Sequence, residues 1–249
     1  MARTAVSRRL NWRIGTVREV RQETPTIRTL VFDIPDWPGH AAGQHIDVRL
    51  TAPDGYQAQR SYSIGSAWTD GGTVELTVQK LDDGEVSPYL VDVVEPGDQI
   101  ELRGPVGGWF VWRPAQTDPV LLIGGGSGVV PLMAMIRQRS LAKTMQPFRL
   151  IYSVRTPEDI CYADELRRRV RDDGGLDVRY VYTRKTPQGW PDPPKRIDVA
   201  TLNTYGWPPD FAADTFVCGP TSFVETAADI LVALGHDPRR IRTERFGGK

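Results

Sequence analysis

Cysteine and histidine are scarce in this chain. Its 249 residues hold two cysteines, Cys161 and Cys218, and three histidines. Two thiolates cannot supply the four ligands of an iron–sulfur cluster, so an intrinsic centre of that kind is excluded. His40, His45 and His236 show no metal-ligand spacing, and no metal site is expected. Sparse, unpaired cysteine fits a reducing cytoplasm. Net charge is missing as well, because 31 Lys and Arg balance 31 Asp and Glu. That argues against nucleic acid or an anionic membrane surface as a partner. No apolar run approaches the length of a membrane span, so no membrane insertion is expected. The basic stretch Met1 to Leu10 lacks the apolar core of a signal peptide.

What remains is an ordinary globular composition, 40% hydrophobic and 25% charged. The length suits one large domain or two of ordinary size. From residue 11 to about 113, short runs of alternating polarity are separated by Gly, Pro and Asp. The runs are 12–20, 27–34, 45–50, 74–78 and 100–102, joined by the β-rich segment around Arg60. This pattern predicts an antiparallel six-stranded β-barrel. One helix is predicted over 87–94, with Ser87 as N-cap and Pro88 at the first helical position. The polar stretch Arg113 to Pro119 then breaks the pattern. Beyond it, strand candidates at 120–123, 148–152, 178–182 and 215–218 alternate with helical ones at 129–141, 158–171 and 223–234. Alternation of this kind predicts an α/β open parallel sheet, with ligands at the carboxyl ends of its strands. Two domains are therefore expected, 1–113 and 119–249.

The most informative stretch is Arg60-Ser61-Tyr62-Ser63. Arginine offers a planar fork to phosphate oxygens. A tyrosine ring can cover a flat heterocycle, and a serine hydroxyl can donate to or accept from a ring nitrogen. The set suits a ligand with a phosphate at one end and a conjugated ring at the other. An ordinary strand with an exposed arginine and a half-buried tyrosine would read the same way. Gly84-Glu85-Val86-Ser87 opens the predicted helix, whose free N–H groups attract anions. A plain cap is the alternative. In the second half, Gly124-Gly125-Gly126-Ser127-Gly128-Val129-Val130-Pro131 joins the first strand to the first helix, where glycines let a backbone approach a pyrophosphate. Its spacing is neither the dinucleotide G-x-G-x-x-G nor a Walker motif. The next two strands end in Ser153-Val154-Arg155 and Thr183-Arg184 rather than in an acid. Hydroxyls and arginines there suit a 2′-phosphate, unless the arginines are loop charges offset by Glu158 and Asp159. Cys218-Gly219-Pro220 closes a late strand, and Glu244-Arg245-Phe246 stands near the end of the sequence. Taken alone, they read as a buried small thiol and a frayed tail.

Taken in order, these motifs resemble the ferredoxin–NADP reductase superfamily. Arg60 to Ser63 resembles its Arg-x-Tyr-Ser flavin signature, and Gly84 to Ser87 its Gly-x-x-Ser pyrophosphate loop. Gly126 to Pro131 resembles its Gly-x-Gly-x-x-Pro nicotinamide-nucleotide loop, with Cys218-Gly219-Pro220 and the Glu244-x-Phe246 ending completing the set. Gly104-Pro105-Val106-Gly107-Gly108-Trp109-Phe110 departs from the family's Gly-Pro-x-Gly-x-Phe by an extra Gly108 and Trp109. The resemblance implies an FAD site at Arg60, Ser61, Tyr62, Ser63, Val78, Gln79, Gly84, Val86, Ser87 and Phe246. It implies an NAD(P) site at Gly125, Gly126, Ser127, Gly128, Pro131, Ser153, Arg155, Thr183, Arg184, Cys218, Gly219 and Pro220. Ser63, Cys218 and Glu244 are the expected catalytic residues.

The function this implies is that of an FAD-dependent NAD(P)H oxidoreductase, using NADPH in preference to NADH. It would pass electrons to a one-electron acceptor, a ferredoxin-like protein or an oxygenase component. Reductases of bacterial oxygenase systems often continue into a ferredoxin domain. This sequence stops at Lys249, which is its main departure from that pattern. A free flavin or ferric-siderophore reductase is the alternative within enzymes. A flavin-free nucleotide-binding interaction module is the alternative of another class.

Overall fold

The computed structural model describes residues 10–69 and 71–247. The basic N-terminal stretch, the outermost parts of both expected domains and the last two residues lie outside that description. The first half forms strands β1 (Trp12–Thr24), β2 (Ile27–Asp33), β3 (His45–Thr51), β4 (Gln57–Ser63), β5 (Thr73–Gln79) and β6 (Gln99–Val106). They pair in the order β4-β3-β6-β1-β2-β5, antiparallel throughout. The two outer strands then meet: Ile64 bridges Leu76, and the Gly65 N–H donates to the Glu75 carbonyl at 2.8 Å. The sheet thus closes into the predicted six-stranded barrel, leaving no open edge at that seam. Leu30, Phe32, Ile46, Val48, Leu76 and Leu102 fill its interior. Strand β1 outruns its predicted end at residue 20. Its polar tail, Arg21 to Thr24, keeps pairing with β2 after a register shift near Val17.

The barrel helix, α1 (Ser87–Asp92), is shorter than 87–94, and its N-cap is Val86 rather than Ser87. Ser87 is buried, and its hydroxyl accepts the Leu81 amide at 3.1 Å. The serine therefore secures the turn out of β5 instead of capping the helix. A hydroxyl held by a backbone amide six residues upstream is turned away from the helix's own orphan N–H groups.

The second half holds β7 (Val120–Gly125), β8 (Phe148–Val154), β9 (Leu176–Tyr182), β10 (Asp214–Pro220) and β11 (Ile241–Phe246). They form a parallel sheet in the order β11-β10-β7-β8-β9. Around it lie α2 (Val129–Leu141), α3 (Ala163–Asp172), α4 (Val199–Tyr205) and α5 (Thr221–Ala233). Helix α2 coincides with the predicted 129–141. The helix expected over 158–171 begins only at Ala163. Residues 157–159 form a short turn capped by Thr156 and Asp159, and Tyr162 takes a left-handed backbone, φ 60°. Helix α4 and strand β11 were not read from the sequence as regular elements. Strand β11 is the tail itself, and only its parallel pairing with β10 makes it a strand.

Helix α2 is apolar nearly all round because it is covered on both sides. The core around Leu132, Met133 and Met135 includes Ile27, Ala42 and Phe110 from the barrel half. One hydrophobic cluster therefore crosses from the barrel to the parallel sheet. The linker between 113 and 119 is not the only thing joining them.

Candidate flavin and nicotinamide-nucleotide site

The end of β4 meets β11 at the edge of the parallel sheet. Parallel pairing of β10 with β11 sets Cys218 beside Glu244, and Pro220 beside Phe246. Across the junction, the Ser63 hydroxyl donates to Glu244 Oε1 at 3.3 Å. The three expected catalytic residues, far apart in sequence, thus come together. Burial pushes the Glu244 carboxyl up to about 7, and the Ser63 hydrogen bond only partly offsets it. The Cys218 thiol is fully buried and pushed well up, first by burial and then by the Glu244 charge. It stays a thiol at neutral pH.

The flavin-binding candidates line up along β4 and the turn before α1. Tyr62 is half-buried against the barrel core, and burial raises its hydroxyl to about 12. The Arg60 guanidinium is exposed and meets the Glu85 carboxylate at 2.5 Å. Glu85 also accepts the Tyr56 hydroxyl at 2.7 Å. Ser61 donates to Asp47 at 2.6 Å, and Arg103 holds the same carboxylate, so Ser61 is tied into the barrel surface. Val78 and Val86 turn fully buried side chains into the barrel core. Gln79 is half-buried at the end of β5. At Gly84 a Cβ would lie 2.7 Å from the Ser87 hydroxyl, so this turn accepts no side chain. Phe246 is partly buried against the second-half core.

The nucleotide loop leaves β7, makes one short turn at Gly126–Gly128 and enters α2. A Cβ on Gly128 would stand 2.2 Å from the Cys218 carbonyl oxygen, a contact no other residue could make. Gly126 sits at φ +56 with nothing within 4 Å of its missing Cβ. The loop is thus packed tight on the sheet side and open on the other. Ser127 is half-buried, and Pro131 is buried in the first turn of α2. Ser153 is buried beside Gly125 in the sheet register. The chain beyond β8 and β9 stays paired, because Thr183 N–H donates to Val154 at 2.9 Å and Arg184 N–H to Arg155 at 2.9 Å. That brings Arg155 and Arg184 to one place. Glu158 goes to Lys185 and Asp159 caps its own turn, so neither guanidinium has an acidic partner among the described residues.

These residues fit a flavin dinucleotide and a nicotinamide nucleotide. An exposed guanidinium, a half-buried ring and a hydroxyl aimed at the domain junction follow one another along β4. In the second half, the glycine-rich loop at Gly126–Gly128 is open on one side. Sequence reasoning missed the clamp that holds the two halves in this relation. Arg137 on α2 reaches the Gly65 carbonyl and Glu75, both at 2.8 Å, and pairs with Glu165 on α3. Its guanidinium also lies 4.8 Å over the Tyr162 ring, and the Tyr162 hydroxyl donates to Thr77. Nothing local marks Arg137, since an arginine near the end of a helix reads as a solvated charge.

Residues 15–111 match the family of oxidoreductase FAD-binding domains, and residues 122–229 the family of oxidoreductase NAD-binding domains. The chain belongs to the ferredoxin–NADP reductase superfamily. It is similar to the glycine betaine monooxygenase reductase subunit of Chromohalobacter salexigens, 32% identical over 92% of this chain and 62% of that protein. It is likewise similar to the ferredoxin reductase component of 3-ketosteroid-9-alpha-monooxygenase of Mycolicibacterium smegmatis, 32% identical over 92% of this chain and 64% of that protein. The chain thus spans less than two thirds of the length of these relatives. Among solved structures, the FAD/NAD-binding domain of a Vibrio cholerae nitric oxide dioxygenase superposes with a TM-score of 0.83. It is 25% identical and covers 95% of this chain and 99% of that one.

Proposed function

We propose that this chain is an FAD-dependent NAD(P)H reductase that hands electrons to a one-electron acceptor, a ferredoxin-like protein or an oxygenase component. The observation that carries the reading is the meeting of Ser63, Cys218 and Glu244 where the FAD-binding and NAD-binding halves face each other. Two of the relatives named above serve monooxygenases as reductase components, which supports the choice of acceptor. We take the domain boundary to lie in the linker at 113–119.

When bound, the flavin would supply the step between two-electron and one-electron chemistry, which no side chain here can perform. Arg60 and the turn at Gly84 would hold its pyrophosphate, Tyr62 would cover its ring, and Ser63 would meet its ring edge. Gly126 to Gly128 and the α2 N-terminus would hold the coenzyme pyrophosphate. Arg155 and Arg184 would take a 2′-phosphate, so NADPH is the preferred donor. Gly128, pressed on the Cys218 carbonyl, leaves no room for a side chain at that position. Glu244 titrates close to neutral pH and can hold or release a proton at Oε1, within reach of the Ser63 hydroxyl. The two free thiols, both buried, fit a reducing compartment, and we place the protein in the cytoplasm. Among the described residues, no helix is long and apolar enough to cross a membrane.

The test is to purify the full chain, release its flavin by heat and separate it by chromatography, then mix the holoprotein with NADPH under anaerobic conditions. FAD and a bleached flavin band are expected. FMN alone, or a band that NADPH leaves unchanged, would overturn the reading.

A further inference from the structure

The contact between Arg60 and Glu85 has no part in the fold's interior. Both side chains are about half exposed, at 53% and 47%, and they meet at 2.5 Å. Among the described residues, the Arg60 guanidinium has one other acceptor, the neighbouring Gln59 carbonyl at 2.7 Å. Glu85 likewise has one other donor among those residues, the exposed Tyr56 hydroxyl at 2.7 Å. Those two contacts, first Tyr56 and then Arg60, hold the Glu85 carboxyl below its ordinary range. Both backbones are fixed. Arg60 is paired with Val48 in the barrel sheet. Glu85 sits between Gly84, which has no room for a Cβ, and Val86 and Ser87, which are buried. Only the side chains are free to part.

We propose that Glu85 is an internal counter-anion: its carboxylate occupies Arg60 and must yield that guanidinium to the pyrophosphate when FAD binds, so Glu85 sets how tightly the dinucleotide is held. The inference rests on the proposed FAD site. An exposed ion pair is worth little, and it can be exchanged cheaply for a phosphate, whose oxygens match the same planar fork. The turn keeps Glu85 beside Arg60 after the exchange. A carboxylate about 4 Å from a phosphate oxygen repels it even in water. A neutral isostere at position 85 would remove both the competition and the repulsion. The motif thus contains its own brake, which lowers FAD affinity without touching the ring-binding residues.

The experiment compares wild type with Glu85→Gln, an isosteric change at an exposed position. Both full chains are freed of flavin by dialysis and titrated with FAD and with riboflavin, following flavin fluorescence, after matching thermal melts confirm the fold. Glu85→Gln should bind FAD about three- to thirtyfold more tightly and riboflavin, which has no phosphate, unchanged. Equal or weaker FAD binding by the variant would overturn the proposal, because Glu85 would then be neutral or a ligand of the dinucleotide. The same gain with riboflavin would overturn it too, since the effect would not run through phosphate. Wild type that binds neither flavin would instead sink the proposed function, and this inference with it.

Discussion

The Ser63 hydroxyl reaches Glu244 at 3.3 Å although the two residues are 181 positions apart. One lies at the end of a barrel strand, the other on an edge strand of the parallel sheet. Neither half alone contains the pair, so the site exists only while the halves are docked.

Ser63→Ala removes a single oxygen from that junction. FAD should stay bound, because Arg60 and Tyr62 are untouched. A hydrogen bond at a reacting centre is worth on the order of 1.5–3 kcal/mol, so reduction of the bound flavin by NADPH should slow about ten- to a hundredfold. Anaerobic stopped-flow measures the bleaching rate. An unchanged rate with FAD fully bound removes Ser63 from the mechanism, and lost FAD makes it a binding residue.

Glu244→Gln should change how stability depends on pH. The folded-state carboxyl titrates at about 7, above its ordinary 4.5, because burial disfavours the charge. A raised pKa means the folded state keeps its proton longer than the unfolded one. The stability this contributes is whole below about pH 4.5 and is lost as pH rises through about 7. The loss should total no more than about 3 kcal/mol. Denaturant melts of wild type and variant across that range give the difference directly. Wild type should weaken relative to the variant as pH rises, and parallel curves would mean that Glu244 is solvated.

Arg155→Ala tests coenzyme choice. Arg155 and Arg184 converge at the strand ends without acidic partners among the described residues. Losing one charged contact to a phosphate should cost about 1.5–3 kcal/mol, or ten- to a hundredfold in NADPH affinity, while NADH binding is spared. Titration with each coenzyme decides it. Equal losses for both would assign Arg155 a structural part.

Arg137→Met should be the most destabilising of these changes. Arg137 is 10% exposed and answers two carboxylates, Glu75 and Glu165, from different halves. Its loss leaves Glu165 with Arg169 and Glu75 with Arg21 as their remaining partners, and should cost about 1.5–3 kcal/mol. Arg167→Ala, on an exposed pair, should cost less than about 1 kcal/mol. Chemical denaturation of both variants makes the comparison. Equal small losses would show that the clamp is dispensable.

Much of this protein was legible in the sequence because the signals are local. Period-two runs gave β2, β3 and β5, and an unbroken apolar run gave β7. The residues 129–141 announced α2 by length and by Pro131 in its first turn. The motif residues were legible too, since each loop needs particular chemistry at particular spacing. Ser87 shows where local reading fails. A serine before a proline looks like a cap, but a backbone amide from Leu81 had already taken its hydroxyl. Strand β11 shows the same limit, for a charged tail becomes a strand only when β10 offers it a partner.

The sequence by itself determined which residues could hold a phosphate, cover a ring or line a nucleotide loop, because those are properties of side chains and of glycine. Only the tertiary structure decided that Ser63 faces Glu244, that Arg60 is already occupied by Glu85, and that Arg137 joins the halves. Each of these is a contact between distant segments. Their partners are selected by barrel closure, sheet register and the core shared around α2, and no stretch of sequence carries that information alone.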